Sequence, residues 1–101
     1  MIVFNHTIKI SLQIEQEWVE WQLKEHIPEI MATGLFDSFK IYHLLEQDET
    51  DGITFAIQYF TSSHERYLKY IDVFSSDIDR KAAARWGNRF IGFRTAMELV
   101  N

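Results

Sequence analysis

The chain contains no cysteine, and this absence excludes disulfides, thiolate metal sites and cysteine nucleophiles. It has a single proline and four glycines, too few for a disordered region or a long linker. No apolar run approaches the roughly 20 residues of a membrane-spanning helix, so we expect no membrane insertion. The N-terminal residues lack the basic start and continuous apolar core of a signal peptide. A cytoplasmic protein is therefore the expectation.

Positive charge is also scarce, because ten Lys and Arg residues stand against fifteen Asp and Glu residues, for a formal net charge of −5. Nucleic-acid binders usually carry a basic stripe or patch that neutralises phosphates. The basic residues here are scattered, so nucleic acid is not an expected partner. The four histidines are single and separated, without the spacing of a metal site. Glycine-rich phosphate-binding motifs are missing as well, and we expect neither a metal nor a cofactor.

What the chain has in quantity is apolar material. Hydrophobic residues make up 47% of it and aromatic residues 15%, which is ample for a core. Its length corresponds to one domain, spanning residues 1–101. A domain this short leaves much of its surface unburied when it folds, and association with a second copy is a common remedy.

Alternation of apolar and polar residues marks a first strand from Ile2 to Ile14. The even-numbered positions form the apolar face, and His6 is the one polar exception among them. Later segments with the same period predict strands over residues 38–46, 53–61 and 89–100. Asp51 and Gly52 end a polar turn between the second and third of these strands, which favours a hairpin.

A helix is predicted from Glu15 to Ala32, with acidic residues at its start as the helix dipole favours. Trp18 and Trp21 lie well round from its sheet-facing side, on a second contact surface. Pro28 predicts a kink or a change of helical type, and Gly34 is a suitable stop. On a helical wheel, one face is shared by Val19, Leu23, His26, Ile27 and Ile30.

Further helices are predicted after the third strand, one beginning at Ser62 or Ser63 and a shorter one from Ser76 to Trp86. The resulting order, βαββαβ, is an α+β fold of the ferredoxin-like plan, with a four-stranded antiparallel sheet and its helices on one face. The other sheet face carries Val3 and Phe60 with nothing left in the chain to cover them. We therefore predict a homodimer that forms through this open face.

Three segments together resemble one known family. They are Trp18-x-x-Trp21-x4-His26-Ile27-Pro28-Glu29-Ile30-Met31-Ala32-Thr33-Gly34, then Ala56-Ile57-Gln58-Tyr59-Phe60, and Arg89-Phe90-Ile91-Gly92-Phe93-Arg94-Thr95. The chain is similar over essentially its whole length to a bacterial domain-of-unknown-function family within the dimeric α+β barrel superfamily. The resemblance implies two ferredoxin-like sheets paired face to face. It carries over no catalytic role, although the superfamily includes small monooxygenases, isomerases and regulator domains.

Two histidines are the leading candidates for chemistry. His6 points from the first strand toward the helix-covered face, and His26 lies on the sheet-facing side of the first helix, so both belong beside one helix–sheet pocket. A neutral imidazole there can act as a general base or hold a ligand. The structural alternative is a core histidine bonded within the protein. Arg94 is a candidate anion anchor, unless Glu98 or Asn5 pairs with it instead.

Three hypotheses for function remain open. The first is a dimer that binds a small molecule in a pocket lined by His6, Trp21, His26 and Tyr59. The second is a cofactor-independent enzyme of the monooxygenase or isomerase kind, with His26 or His6 as base and Arg94 as anion anchor. The third is a purely structural dimerisation module. The sequence leaves the presence of catalysis undecided between them.

Overall fold

The computed structural model describes residues 1–101 and has the element order βαββαβ. Each of the two helical regions, one between the first and second strands and one between the third and fourth, consists of two α-helices joined by a π-helical turn. The first such turn is Gln22–His26 and the second is Tyr70–Phe74, and a short 3-10 turn, Leu12–Ile14, precedes the first helix. The elements are β1 Ile2–Ile10, α1 Glu15–Trp21, α2 Ile27–Met31, β2 Ser38–His43, β3 Ile53–Thr61, α3 His64–Lys69, α4 Ser75–Trp86 and β4 Phe90–Glu98.

The four strands form one antiparallel sheet in the order β2-β3-β1-β4. This arrangement confirms the ferredoxin-like plan predicted from the alternating residues. In β1 and β3 every second side chain is buried beneath the helices, because strand side chains alternate between the two faces. Phe4 and Ile57 lie at the centre of this core, where Trp18, Ile30 and Trp86 from the helices pack against the sheet. None of the helices has the length and apolar character to span a bilayer.

Three strands are shorter than the alternation predicts, and β4 is so only slightly, running from Phe90 to Glu98 instead of over residues 89–100. β1 ends at Ile10 rather than Ile14, since the backbone N–H and the hydroxyl of Ser11 both donate to the Arg89 carbonyl and the chain then turns. β2 ends at His43 rather than at residue 46, because Glu46 takes a positive φ of 60° that a strand does not permit. Past the ends of β1 and β2 one backbone bond each across the sheet remains, from Ser11 N–H to the Arg89 carbonyl and from Leu44 N–H to the Thr54 carbonyl. The residues beyond these continue the alternation without further bonds to a neighbouring strand.

Helix starts and stops follow the local chemistry. Ser63 is the N-cap of α3, and its hydroxyl accepts a hydrogen bond from the backbone N–H of Arg66. Of the two predicted starting positions, Ser62 and Ser63, the second is therefore the cap. Gly34, with a φ of 75°, follows the end of α2 and donates its N–H to the Met31 carbonyl, as predicted for a helix stop.

The sheet face opposite the helices is uncovered within the chain. Val3 lies between Phe60 on β3 and Met97 on β4, so three apolar side chains stand side by side there. Ile91 and Phe93 on the edge strand β4 are also largely exposed. Soluble monomers seldom expose apolar residues in a continuous patch, and this face therefore has the character of a contact surface.

Candidate functional site

The π-helical turn Gln22–His26 sets the geometry of the site. In an uninterrupted α-helix Trp18 and Ile27, nine residues apart, would point in directions about 180° apart. The π turn inserts one extra residue, and both side chains are buried. Trp18 packs on Phe55 of β3 with ring centroids 5.3 Å apart, while Leu23 is 48% exposed. The helical wheel, which placed Leu23 on the sheet-facing side and Trp18 away from it, was wrong here because it assumed a regular α-helix.

Pro28 supplies the local reason for this turn. Proline has no N–H to donate to the carbonyl four residues earlier, so the α-helical pattern fails at Lys24. The chain instead bonds the Ile27 N–H to the Gln22 carbonyl, five residues back. A change of helical type was predicted at Pro28, and the structure has it in the turn that immediately precedes. Its effect is to bury Gln22 and His26 on the same side as Trp18.

A cavity of about 350 Å³ lies between this segment, α4 and the sheet. All three tryptophans of the chain line it, together with residues from β1 and β4. Two of its walls are aromatic planes nearly at right angles, since Trp21 and Trp86 have ring centroids 5.7 Å apart and an interplanar angle of 77°. The lining consists of His6, Ile8, Trp18, Trp21, Gln22, His26, Asp79, Ala82, Trp86, Phe90, Gly92, Phe93 and Arg94.

His26 is held in a defined orientation within this lining. Its Nδ1 lies 2.9 Å from Oε1 of Gln22, and its ring stacks on Trp21 with centroids 4.5 Å apart and planes 13° apart. The Gln22 amide oxygen is an acceptor, so Nδ1 carries the hydrogen and Nε2 keeps a free lone pair. Nε2 has no hydrogen-bond partner in the protein. A side chain fixed at one nitrogen and free at the other is suited to receive a donor from a ligand.

His6 enters the cavity from β1, where it lies opposite Arg94 of β4. The ring of Phe4 meets it edge-on at 4.6 Å, and Nε2 of His6 also lacks a partner. Burial lowers the pKa of His6 to about 3, helped by the positive charge of Arg94 and by His26. Burial likewise lowers the pKa of His26 to about 4, outweighing the opposing attraction of Asp79. Both imidazoles are therefore neutral near pH 7.

Arg94 forms an ion pair with Asp79 of α4. Its suggested partners were wrong: Asn5 donates to the Thr7 hydroxyl at 3.0 Å, and Glu98 is exposed near the far end of β4. Burial acts to lower the pKa of Arg94, but the hydrogen bond and negative charge of Asp79 raise it by more. These two residues are the only formally charged ones in the cavity lining, and their charges cancel.

Several buried polar atoms in this region have no partner within the protein. They are His6 Nε2, His26 Nε2, Tyr59 OH and Trp86 Nε1. Three of these four atoms belong to side chains that line the cavity. An unsatisfied buried polar group costs about 1–3 kcal/mol, and folded proteins contain few of them. Their concentration in side chains around a single cavity makes this cavity the candidate site for a ligand that hydrogen-bonds to them.

The structure gathers four of the five residues singled out in the sequence, namely His6, Trp21, His26 and Arg94. Tyr59 is fully buried in the core beyond His6 and does not line the cavity. Its buried hydroxyl has its pKa raised, mainly by burial. No group of three or more His, Asp or Glu side chains is arranged to hold a metal ion.

Sequence reasoning missed three lining residues of importance, which are Gln22, Asp79 and Trp86, and it assigned Trp18 to a second contact surface instead. One pattern marks part of this set. Asp79, Ala82 and Trp86 are spaced at i, i+3 and i+7, which places them on one face of α4. The small Ala82 side chain, in line with a charged residue and an aromatic one, leaves space on that face. The burial of Gln22 depends on the π turn, whose bounds no residue pattern near it predicts.

Solved structures share this fold at low sequence identity. An ethyl tert-butyl ether d (EthD) family protein from Bacillus halodurans C-125 superposes with a TM-score of 0.68 at 14% identity, covering 99% of this chain and 100% of that one. A dimeric ferredoxin-like protein from an uncultured marine organism gives a TM-score of 0.66 at 8% identity, covering 99% and 96%. Identity this low establishes the shared fold alone.

Comparison by sequence identifies one family. No protein of curated function is detectably similar to the chain in sequence. The sequence profile of a domain of unknown function, DUF4286, matches residues 1–100, and the resemblance noted from the tryptophan, histidine and proline pattern is confirmed. The chain belongs to the DUF4286 family.

Proposed function

We propose that this protein binds a small, largely apolar molecule in the cavity beside His6 and His26, and that it does so as a homodimer. One observation carries the binding function: three buried polar atoms without protein partners belong to side chains around the same cavity. A bound molecule would supply the missing hydrogen bonds and fill the apolar space between the tryptophans. The volume of about 350 Å³ falls at the lower end of the range typical of ligand pockets.

Ion pairing and aromatic packing hold the cavity walls in place. The guanidinium groups of Arg85 and Arg89 both contact the Trp86 ring, at 4.1 and 5.2 Å from its centre. Trp21 is stacked on His26, and Arg94 is tied to Asp79. A pre-formed pocket binds more tightly than one that must be ordered by its ligand, because less conformational entropy is lost. This favours binding over a purely structural role for the dimer.

A catalytic use of the same cavity is the second candidate. The hydrogen bond from Nδ1 of His26 to Gln22 is the observation in its favour, since a base must be held in one orientation. The magnitude of the pKa shift weighs against it. At a pKa of about 4, His26 is unprotonated at pH 7 but a weak base, well away from the value near the working pH that proton transfer prefers. Ligand binding is therefore the stronger proposal.

The homodimer proposal rests on the uncovered sheet face. Val3, Phe60 and Met97 form an apolar strip there, and no element of the chain packs on it. The solved structure from the marine organism, described as a dimeric ferredoxin-like protein, supports the assembly of two copies. A second copy covers both strips at once, because the same surface is presented by each partner.

Toluene titration tests the binding function directly. The signals of the three tryptophan indole N–H groups, all belonging to cavity residues, are followed by NMR. We expect saturable shifts in the native chain and their loss in Ala82→Leu, whose larger side chain occupies the cavity. Ala84→Leu is the matched control, since Ala84 lies on the exposed side of the same helix. If the native chain gives no saturable shift with toluene or with a polar analogue such as p-cresol, the proposal fails.

A further inference from the structure

Building on the proposed binding function, we infer that the cavity selects an uncharged aromatic molecule bearing a hydrogen-bond donor, a phenol being the simplest class. We further infer that Gln22 sets this preference by fixing which nitrogen of His26 is free. Gln22 is thus a positioning residue, and His26 is the group that meets the ligand. Three features of the cavity support this preference: the hydrogen bond between these two residues, the charge balance of the lining and the geometry of the aromatic walls.

The pair Gln22–His26 is isolated from water, since both side chains are more than nine-tenths buried. Within it the amide oxygen of Gln22 accepts the Nδ1 hydrogen at 2.9 Å. The opposite tautomer would leave Nδ1 without a hydrogen, and it would require the Gln22 amide to turn by 180° so that its NH2 group faces Nδ1. Nε2 is therefore an acceptor, and a ligand must bring a donor to satisfy it. An ether or a hydrocarbon has no donor for Nε2, so the cost of burying this nitrogen without a hydrogen bond would remain.

Charge balance determines the second property of the ligand. Arg94 and Asp79 neutralise each other, and both lining histidines are neutral because burial lowers their pKa values to about 3 and about 4. An anionic ligand would have to replace Asp79 as the partner of Arg94, and a cationic ligand would have to replace Arg94 as the partner of Asp79. Either exchange leaves a partly buried charge without its partner. An uncharged molecule enters without breaking the pair.

Aromatic walls determine the shape. The stacked pair of Trp21 and His26 presents one flat surface, and Trp86 stands nearly perpendicular to it. Planar rings pack well in such a corner, in stacked and edge-on contact. Trp86 also has an indole N–H without a partner, which is a donor only. A hydroxyl both donates and accepts, so a phenol is able to satisfy either His26 or Trp86.

Three probes of nearly equal size separate these requirements. p-Cresol is neutral with a donor, its methyl ether is neutral without one, and p-toluate is an anion. Binding is measured by tryptophan fluorescence at neutral pH. We expect p-cresol to bind about tenfold more tightly than the ether, which corresponds to one buried hydrogen bond, and more tightly than p-toluate. Equal or tighter binding of the ether or of p-toluate would overturn the inference while leaving the pocket itself intact.

Replacing Gln22 tests its positioning role. In Gln22→Leu the acceptor for Nδ1 is gone, so His26 is free to carry its hydrogen on Nε2. We expect the affinity ratio of p-cresol to its ether to fall toward one, and the ring-nitrogen NMR shifts of His26 to show the hydrogen moving from Nδ1 to Nε2. A native chain with the hydrogen on Nε2 would overturn the inference even if the variant does not fold. Failure of all three probes and of toluene would instead overturn the binding function, and the inference with it.

Discussion

Arg94 on the edge strand β4 is ion-paired with Asp79 on α4, and this pair holds the strand against the helices beside the cavity. The two side chains are 42% and 33% exposed, so the pair contributes little to stability, on the order of 1 kcal/mol or less. Its larger consequence is electrostatic. The Asp79 carboxylate pairs with the Arg94 guanidinium group, which would otherwise attract an anionic ligand.

Asp79→Asn should therefore convert the cavity into an anion site. With its partner neutral, Arg94 is available to a carboxylate, and we expect p-toluate affinity to rise about tenfold or more, as for a charge-assisted hydrogen bond. Tryptophan fluorescence titration measures the change. Asp77→Asn is the matched control, because Asp77 lies on the same helix and pairs with Arg80 on the surface. Identical p-toluate affinity in the two variants would show that Arg94 does not reach the ligand.

Because of the π turn, we expect truncation of Trp18 in α1 and of Leu23 in the turn to have very different effects on stability. Trp18 is 1% exposed and Leu23 is 48% exposed, so Trp18→Ala should lower the free energy of unfolding by about 3–5 kcal/mol and Leu23→Ala by about 0.5 kcal/mol or less. Urea unfolding curves give both values. A regular helix, with the face predicted from the wheel, would reverse the order of the two losses.

The fold was largely predictable because period-2 alternation survives wherever one side of a strand is buried. β3 was predicted from Ile53 to Thr61 and has those bounds. Strand ends were not predictable to the same degree, since Leu12 and Ile14 continue the alternation after the backbone has left the sheet. Residue type records which face is apolar, but hydrogen bonding to a distant strand decides where the ladder stops.

The site was predictable only in part, and for a different reason. His6 and His26 were found because each is a polar residue on an apolar face. Gln22 was missed, since its burial depends on the extra residue in the π turn, which shifts the helix face by about one residue. Asp79 was missed because its partner, Arg94, is brought to it by the docking of α4 on the sheet, a long-range contact that no local pattern contains.

Acid should destabilise the fold through the two cavity histidines. Their folded-state pKa values, about 3 and about 4, lie below the unfolded value of 6.5, so the unfolded chain binds more protons below that pH. The stabilisation from each neutral histidine is complete above pH 6.5 and is lost as the pH falls toward about 4 for His26 and about 3 for His6. Between pH 7 and pH 5 we expect a loss of about 2 kcal/mol for each histidine, from about 1.4 kcal/mol per pKa unit.

Urea unfolding of variants at the two pH values separates this effect from other titrations. His26→Gln removes one titrating group, and its stability should fall about 2 kcal/mol less than that of the native chain between pH 7 and pH 5. His64→Gln is the control, because His64 is exposed at the start of α3. An unchanged pH dependence in His26→Gln would show that His26 titrates normally in the folded protein.

The apolar strip on the open sheet face should hold the dimer together. Met97 is 40% exposed beside Val3 in the strip, whereas Leu68 is 44% exposed on α3, on the helical side of the sheet. A lysine at position 97 would bury a charge between two copies, so Met97→Lys should raise the dimer dissociation constant at least about a hundredfold. Leu68→Lys should leave it unchanged, since that position faces solvent in either state. Analytical ultracentrifugation over a range of concentrations measures both constants. A native chain that sediments as a monomer at micromolar concentration, or equal constants in the two variants, would place any association elsewhere on the molecule.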